Sequence, residues 1–98
     1  MSIVNVTYYG LINNLVDKQE DKHNISHGAT VRKLLQTLVQ RYGDDFRSMT
    51  MTPDWQLLPS TIIHLNGRDI NEIQGMNTKL ADDGEVSISV IKHFIGGG

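Results

Sequence analysis

An α+β fold, with one amphipathic helix lying across a mixed sheet, is what this chain predicts, and three observations predict it. Two segments of alternating polarity stand near its ends, residues 2–9 and 85–91. One segment with clear helical periodicity, residues 30–42, lies between them. A single amphipathic helix cannot bury its own apolar face, so it must cover one face of a sheet. Pairing the two end strands side by side and in parallel beneath the helix gives each the most burial.

In residues 2–9, Val4, Val6 and Tyr8 share one face, and Ile3, Asn5, Thr7 and Tyr9 share the other. β-branched and aromatic residues dominate, which reads as a half-buried strand. Residues 10–21 are polar and turn-rich, with Asn13-Asn14 and the run Asp17-Lys18-Gln19-Glu20-Asp21, and are expected to form a solvated loop. Residues 22–27 form a weak strand whose one strong apolar residue is Ile25, and Gly28 ends it.

Thr30 opens the helix and can cap it through its hydroxyl, although Lys33 prevents a full capping box. Val31, Leu34, Leu35, Leu38, Val39 and Tyr42 fall on one helical face. Burying these side chains at about 1.5–3 kcal/mol each makes this helix the main core element. Arg32, Lys33, Gln36, Gln40 and Arg41 lie mostly on the wet side, and Gly43 stands where a left-handed terminal residue is wanted.

Residues 44–60 are less regular, with Phe46, Met49, Met51, Trp55 and Leu57 set among polar residues and two prolines. Trp55 is expected to act as a lid over the core edge. Residues 61–66 form a strand closed by an Asn66-Gly67 turn. Residues 70–80 are mixed, with Leu80 buried, and Ala81-Asp82-Asp83-Gly84 is a tight turn. Residues 85–91 alternate again, with Val86, Ile88 and Val90 on one face. The whole is a β-grasp arrangement of four to five strands.

Composition narrows the function. The 98 residues make one domain, and 39% hydrophobic with 20% charged residues is ordinary globular composition. A net charge of −2 with scattered basic residues gives no footprint for nucleic acid. No apolar run approaches the ~20 residues of a membrane span, and no basic-then-apolar leader is present, so a cytoplasmic monomer is the expectation. The absence of cysteine excludes disulfides, a thiol nucleophile, cysteinyl zinc and iron–sulfur clusters. Any sulfur chemistry on this chain must take place elsewhere than on a side-chain thiol.

The sequence closes on Ile95-Gly96-Gly97-Gly98. Terminal glycines leave an unhindered carboxylate on a backbone that accepts angles other residues cannot. A frayed end or an expression scar is the plain alternative. The expected division is a folded domain over residues 1–92 and a flexible tail over residues 93–98. Fully extended, residues 93–98 reach about 20 Å, enough for a terminal carboxylate to enter a buried site while the domain stays outside.

Further motifs carry a resemblance. Ile62-Ile63-His64-Leu65-Asn66-Gly67-Arg68-Asp69-Ile70 is similar to the strand-and-turn segment of the MoaD/ThiS family of ubiquitin-like sulfur carriers. Thr78-Lys79-Leu80-Ala81-Asp82-Asp83-Gly84-Glu85-Val86 resembles that family's T-x-L-x-D-G-D-E-V motif, and Gly28 to Leu35 resembles its helix-opening segment. The order of these motifs, ending on glycine, is more specific than any one of them. Residues 44–60 resemble the extra stretch of the MoaD-like branch, which includes archaeal ubiquitin-like small modifiers. Two departures stand out: three terminal glycines instead of two, and Lys92-His93-Phe94-Ile95 in place of a proline-containing approach.

The resemblance implies a carrier that is not itself an enzyme and binds no cofactor. An ATP-dependent adenylating enzyme of the ubiquitin-activating type would activate the Gly98 carboxylate, and sulfur would then replace the adenylate. The large subunit of a molybdopterin-type synthase is the implied acceptor. Alternatively, the activated glycine would join lysines of target proteins as a modifier. Gly96, Gly97 and Gly98 precede no helix, lysine or serine, so they form no phosphate-cradling loop, and ATP must be held by the partner.

Ile62, His64 and Ile91 are expected on the sheet face opposite the helix, grouped as a docking patch beside the tail. A register error of one residue would turn the set inward. Phe94 and Ile95 either pack at a partner's channel entrance or continue the last strand against the domain. His23, His27, His64 and His93 show no metal-ligand spacing; His23 and His27 on one strand would stand about 13 Å apart. They are expected to be solvated, and no metal site is expected.

Overall fold

The computed structural model describes residues 2–91, and all structural statements concern those residues. Five strands form one mixed sheet: β1 (Ser2–Gly10), β2 (Glu20–Ile25), β3 (Thr61–Leu65), β4 (Arg68–Asp69) and β5 (Gly84–Val90). Their order across the sheet is β2-β1-β5-β3-β4, with β1 and β5 parallel and central and the other neighbours antiparallel. The two segments nearest the chain ends therefore do meet side by side, as their burial demands. The boundary expected at residue 92 and the tail at 93–98 lie outside the described residues.

Alternation decides which way each strand faces. Val4, Val6 and Tyr8 of β1, Val86, Ile88 and Val90 of β5, and Ile63 of β3 all point inward and are buried. Helix α2 (Val31–Tyr42) covers them, with Val31, Leu34, Leu35 and Leu38 fully buried and Val39 and Tyr42 packed partly buried against the core. Thr30 caps this helix as expected, its hydroxyl accepting the Lys33 N–H at 3.3 Å. Gly43 ends it at φ +88° but with ψ −168°, which lies outside the left-handed helical region in backbone space that is essentially reserved to glycine. That turn lets the chain leave α2 and enter another helix at once.

Two segments depart from the sequence expectation. Residues 10–21 are not a solvated loop: α1 (Leu11–Val16) forms there, and β2 begins at Glu20, two residues earlier than expected. Ile12 and Val16, four apart on one helical face, are both buried, while Asn14 is exposed. Asn13 Nδ2 donates to the Tyr8 carbonyl at 3.4 Å and the Lys18 carbonyl at 3.0 Å, so a residue that signals a turn instead fastens a short helix. Residues 44–60 are likewise more regular than expected. They open with α3 (Asp44–Thr50), whose Phe46 is fully buried and stacks on Tyr42, ring centres 5.8 Å apart.

Residues 51–57 then double back through a Met51–Leu57 bridge. Trp55 sits at the turn with φ +62°, partly buried against the core, with the Arg47 guanidinium 4.7 Å over its ring. Stacking of this kind offsets the cost of a non-glycine residue in that region. Between β3 and β4, Asn66 and Gly67 take φ +51° and +86°, the two positive angles a tight hairpin requires. Two short 3-10 turns, Ile70–Glu72 and Gly75–Asn77, lead to buried Leu80 and the turn before β5.

Candidate functional site

β5 delivers the chain to its glycine segment, and the sheet grips it on both sides until the point of exit. Val90 pairs with Gly10 of β1 and with Thr61 of β3, and the Ile91 N–H donates to the Ser60 carbonyl at 3.0 Å. Gly10 is required at this junction. Its φ is +73°, and a β-carbon there would overlap the Val90 carbonyl oxygen. Phe94, Ile95, Gly96, Gly97 and Gly98 lie outside the described residues.

The sheet face away from α2 surrounds the exit. Ile62 and His64 stand on it, half-buried, opposite Ser89 and Ser87. Ile91, 49% exposed, continues the outward alternation of β5 past Ser89. The structure adds Tyr9, also 49% exposed, which flanks Ser89 from the β1 side, and exposed Leu11 at the start of α1. Tyr9 was legible as an outward residue from its alternation with Tyr8. Its place across Ser89 from Ile62 required the parallel register of β1 on β5. Leu11 was hidden in the segment read as a loop.

The far end of the same face is acidic. Ile3, Asn5, Glu20, Lys22, Asp83 and Glu85 line a shallow depression of about 300 Å³ there. Asn5 Nδ2 donates to Glu20 Oε2 at 3.1 Å and to Glu85 Oε2 at 3.0 Å, holding two like charges on one amide. The open face thus runs from apolar at the chain exit to anionic at the opposite end.

On the covered side, Asp21 gathers the hydroxyls of Tyr8 and Tyr42 and the ring of His23. Its carboxylate, 11% exposed, accepts from Tyr8 Oη at 2.9 Å, from Tyr42 Oη, and from His23 Nε2 at 2.8 Å, with Lys18 Nζ at 3.9 Å. Burial works to raise the Asp21 pKa, but the Tyr42 and Tyr8 hydroxyls and the charge and hydrogen bond of His23 outweigh it and hold the carboxyl below its ordinary value. Burial, reinforced by Asp21, pushes the Tyr8 and Tyr42 hydroxyls up. This corrects the expectation that the histidines are solvated: His23 is 7% exposed, because β2 starts at Glu20 and turns Asp21, His23 and Ile25 inward together. His27 is exposed, with Nδ1 3.1 Å from Ser2 Oγ, and His93 lies outside the described residues. Among the described residues no helix is long and apolar enough to cross a membrane.

Comparisons with known proteins agree with this architecture. Solved structures of the same shape include Urm1 from Trypanosoma brucei, with a TM-score of 0.80 at 18% identity, covering 96% of each chain. The small archaeal modifier protein 1 from Methanosarcina acetivorans gives 0.78 at 23% identity over 100% of this chain and 98% of that one. A putative molybdopterin converting factor, subunit 1, from Pyrococcus furiosus gives 0.76 at 21% identity over 94% and 100%. At these identities the likeness establishes the ubiquitin-like β-grasp fold and nothing further. No curated protein matches the chain in sequence. The profile of the ThiS family matches residues 6–98, which takes in the whole described fold except residues 2–5 of β1 and reaches through the three glycines of the sequence; this chain belongs to the ThiS family.

Proposed function

We propose that this protein is a sulfur carrier whose working group is the Gly98 carboxylate. The observation that carries the reading is the family match, which runs through residue 98 and so includes the glycine segment that β5 leads into. A carboxylate is a poor electrophile until its oxygen becomes a leaving group. Adenylation by a ubiquitin-activating-type enzyme meets that need: the carboxylate attacks the α-phosphate of ATP and releases pyrophosphate. A sulfur nucleophile then displaces AMP and leaves a thiocarboxylate. ATP belongs to the partner, and the chain contributes the group that is modified. The name of the Pyrococcus furiosus relative supports molybdopterin-type cofactor synthesis as the destination, with a synthase large subunit as acceptor.

In this reading Tyr9, Ile62, His64 and Ile91 form the contact that seats the activating partner, with Phe94 and Ile95 at the mouth of its channel. The test is to incubate the purified protein with an activating enzyme, ATP and a sulfur source, and to weigh it intact. The expected result is a mass gain equal to the exchange of one oxygen for sulfur, absent when Gly98 is deleted. Failure to gain that mass with any competent activating enzyme overturns the reading.

A second reading, a protein modifier, is supported by the name of the archaeal relative, small archaeal modifier protein 1. There the activated Gly98 forms an isopeptide with a lysine amine. Lysines carrying a glycine remnant in digests of the producing cells would establish it, and their absence across growth conditions would count against it.

A further inference from the structure

Beside the start of β3, on the opposite flank from β1, a cleft of about 470 Å³ opens between residues 56–59, the 3-10 turn Gly75–Asn77 and the first turn of α2. Leu57, Ile62 and Met76 supply apolar wall, and the amides of Gln56, Asn71 and Asn77 supply donors and acceptors. Arg32 brings a guanidinium that forms no ion pair among the described residues. Asp69 also borders the cleft, but its Oδ1 is engaged by the Asn71 N–H at 2.9 Å. Thr61 is 6% exposed, and its hydroxyl has no hydrogen-bond partner among the described residues. A buried polar group left in that condition is uncommon in folded proteins.

This combination selects a ligand. An unpaired guanidinium beside apolar wall matches a carboxylate next to an apolar side chain, since the planar fork of arginine suits carboxylate geometry. Side-chain amides along the same wall match the repeating N–H and C=O groups of a main chain, each amide offering one donor group and one acceptor. We propose that this cleft receives a polypeptide segment of a partner protein, with a leucine-like side chain lodged against Leu57 and Met76 and an adjacent aspartate or glutamate held by Arg32. Ile62 borders both the cleft and the outward sheet face, so one partner can cover the two surfaces together. The proposal is independent of what happens at Gly98.

The test is selection of a random displayed-peptide library on the full chain, followed by amide chemical-shift mapping with the enriched peptides. The expected peptides carry an acidic residue beside Leu, Ile, Met or Phe. They shift the Leu57, Thr61, Ile62, Met76 and Asn77 amides, and bind at least ~10-fold more weakly to Arg32→Glu and to Arg32→Gln. Two variants are used so that a folding defect in one, read by circular dichroism, does not decide the matter. No enrichment, peptides without a carboxylate, equal binding to both folded variants, or shifts mapping elsewhere would each overturn the proposal. So would movement of the cleft amides on deleting residues 93–98, or on dilution, which would make the occupant the chain's own tail or a second copy.

Discussion

Tyr9 and Ile62 face the same residue from opposite sides: both are paired with Ser89, one across the parallel β1–β5 ladder and the other across the antiparallel β3–β5 ladder. A small side chain thus stands between two large ones on the outward face, two residues before Ile91. The strand that carries it is the one that precedes the glycines in sequence.

Tyr9→Ala combined with Ile62→Ala is expected to lower kcat/KM for activation by roughly 10-fold or more, chiefly through KM, because the pair binds the partner without touching the reacting carboxylate. Pyrophosphate release at varied carrier concentration measures this. A fall confined to kcat would assign the pair another role.

Gly10→Ala is expected to destabilise the fold by roughly 2 kcal/mol or more, since it adds a clash with the Val90 carbonyl to an unfavourable positive φ. Urea denaturation gives the value. A loss under about 0.5 kcal/mol, the range of ordinary surface changes, would show that β1 and β5 separate freely there.

Asp21 and the tyrosines on it set opposite limbs of the stability–pH curve. The Asp21 pKa is lowered by folding, so its contribution is complete above the unfolded value near ~4 and is lost as pH falls toward the folded value. The Tyr8 pKa is raised, so its contribution is complete below about pH 10 and is lost as pH rises beyond it. Asp21→Asn is expected to flatten the acid limb and to cost about 1–3 kcal/mol at neutral pH. Tyr8→Phe is expected to flatten the alkaline limb. Melting temperatures across the pH range distinguish the two; an unchanged acid limb in Asp21→Asn would remove the carboxylate from this role.

Phe46→Ala is expected to cost about 3–5 kcal/mol, as for other large core aromatics, and to loosen Tyr42 with it. Chemical denaturation monitored by tyrosine fluorescence reports both effects. A small cost would return residues 44–60 to the irregular description that their composition suggests.

The long strands, the main helix and its cap, the Asn66-Gly67 hairpin and the outward placement of Ile62 and His64 were all legible, because each rests on local periodicity or on turn chemistry. What was not legible depended on contacts far apart in sequence. Leu11–Val16 is too short for helical periodicity to stand out, and its Asn pair signals a turn until Asn13 is seen bonding the Tyr8 carbonyl. Asp21 read as one charge in a solvated run, and nothing local announces the hydroxyls of Tyr8 and Tyr42 that make its burial tolerable. Tyr9 joined the patch only through the ladder register.

The central position of β5 bears on when this protein can exist as a folded object at all. Ribosomal synthesis yields two separate ribbons, β1 with β2 and then β3 with β4, and neither has a neighbour until the strand closest to the glycines emerges and closes the gap between them. An incomplete nascent chain therefore presents no finished sheet for a partner to read.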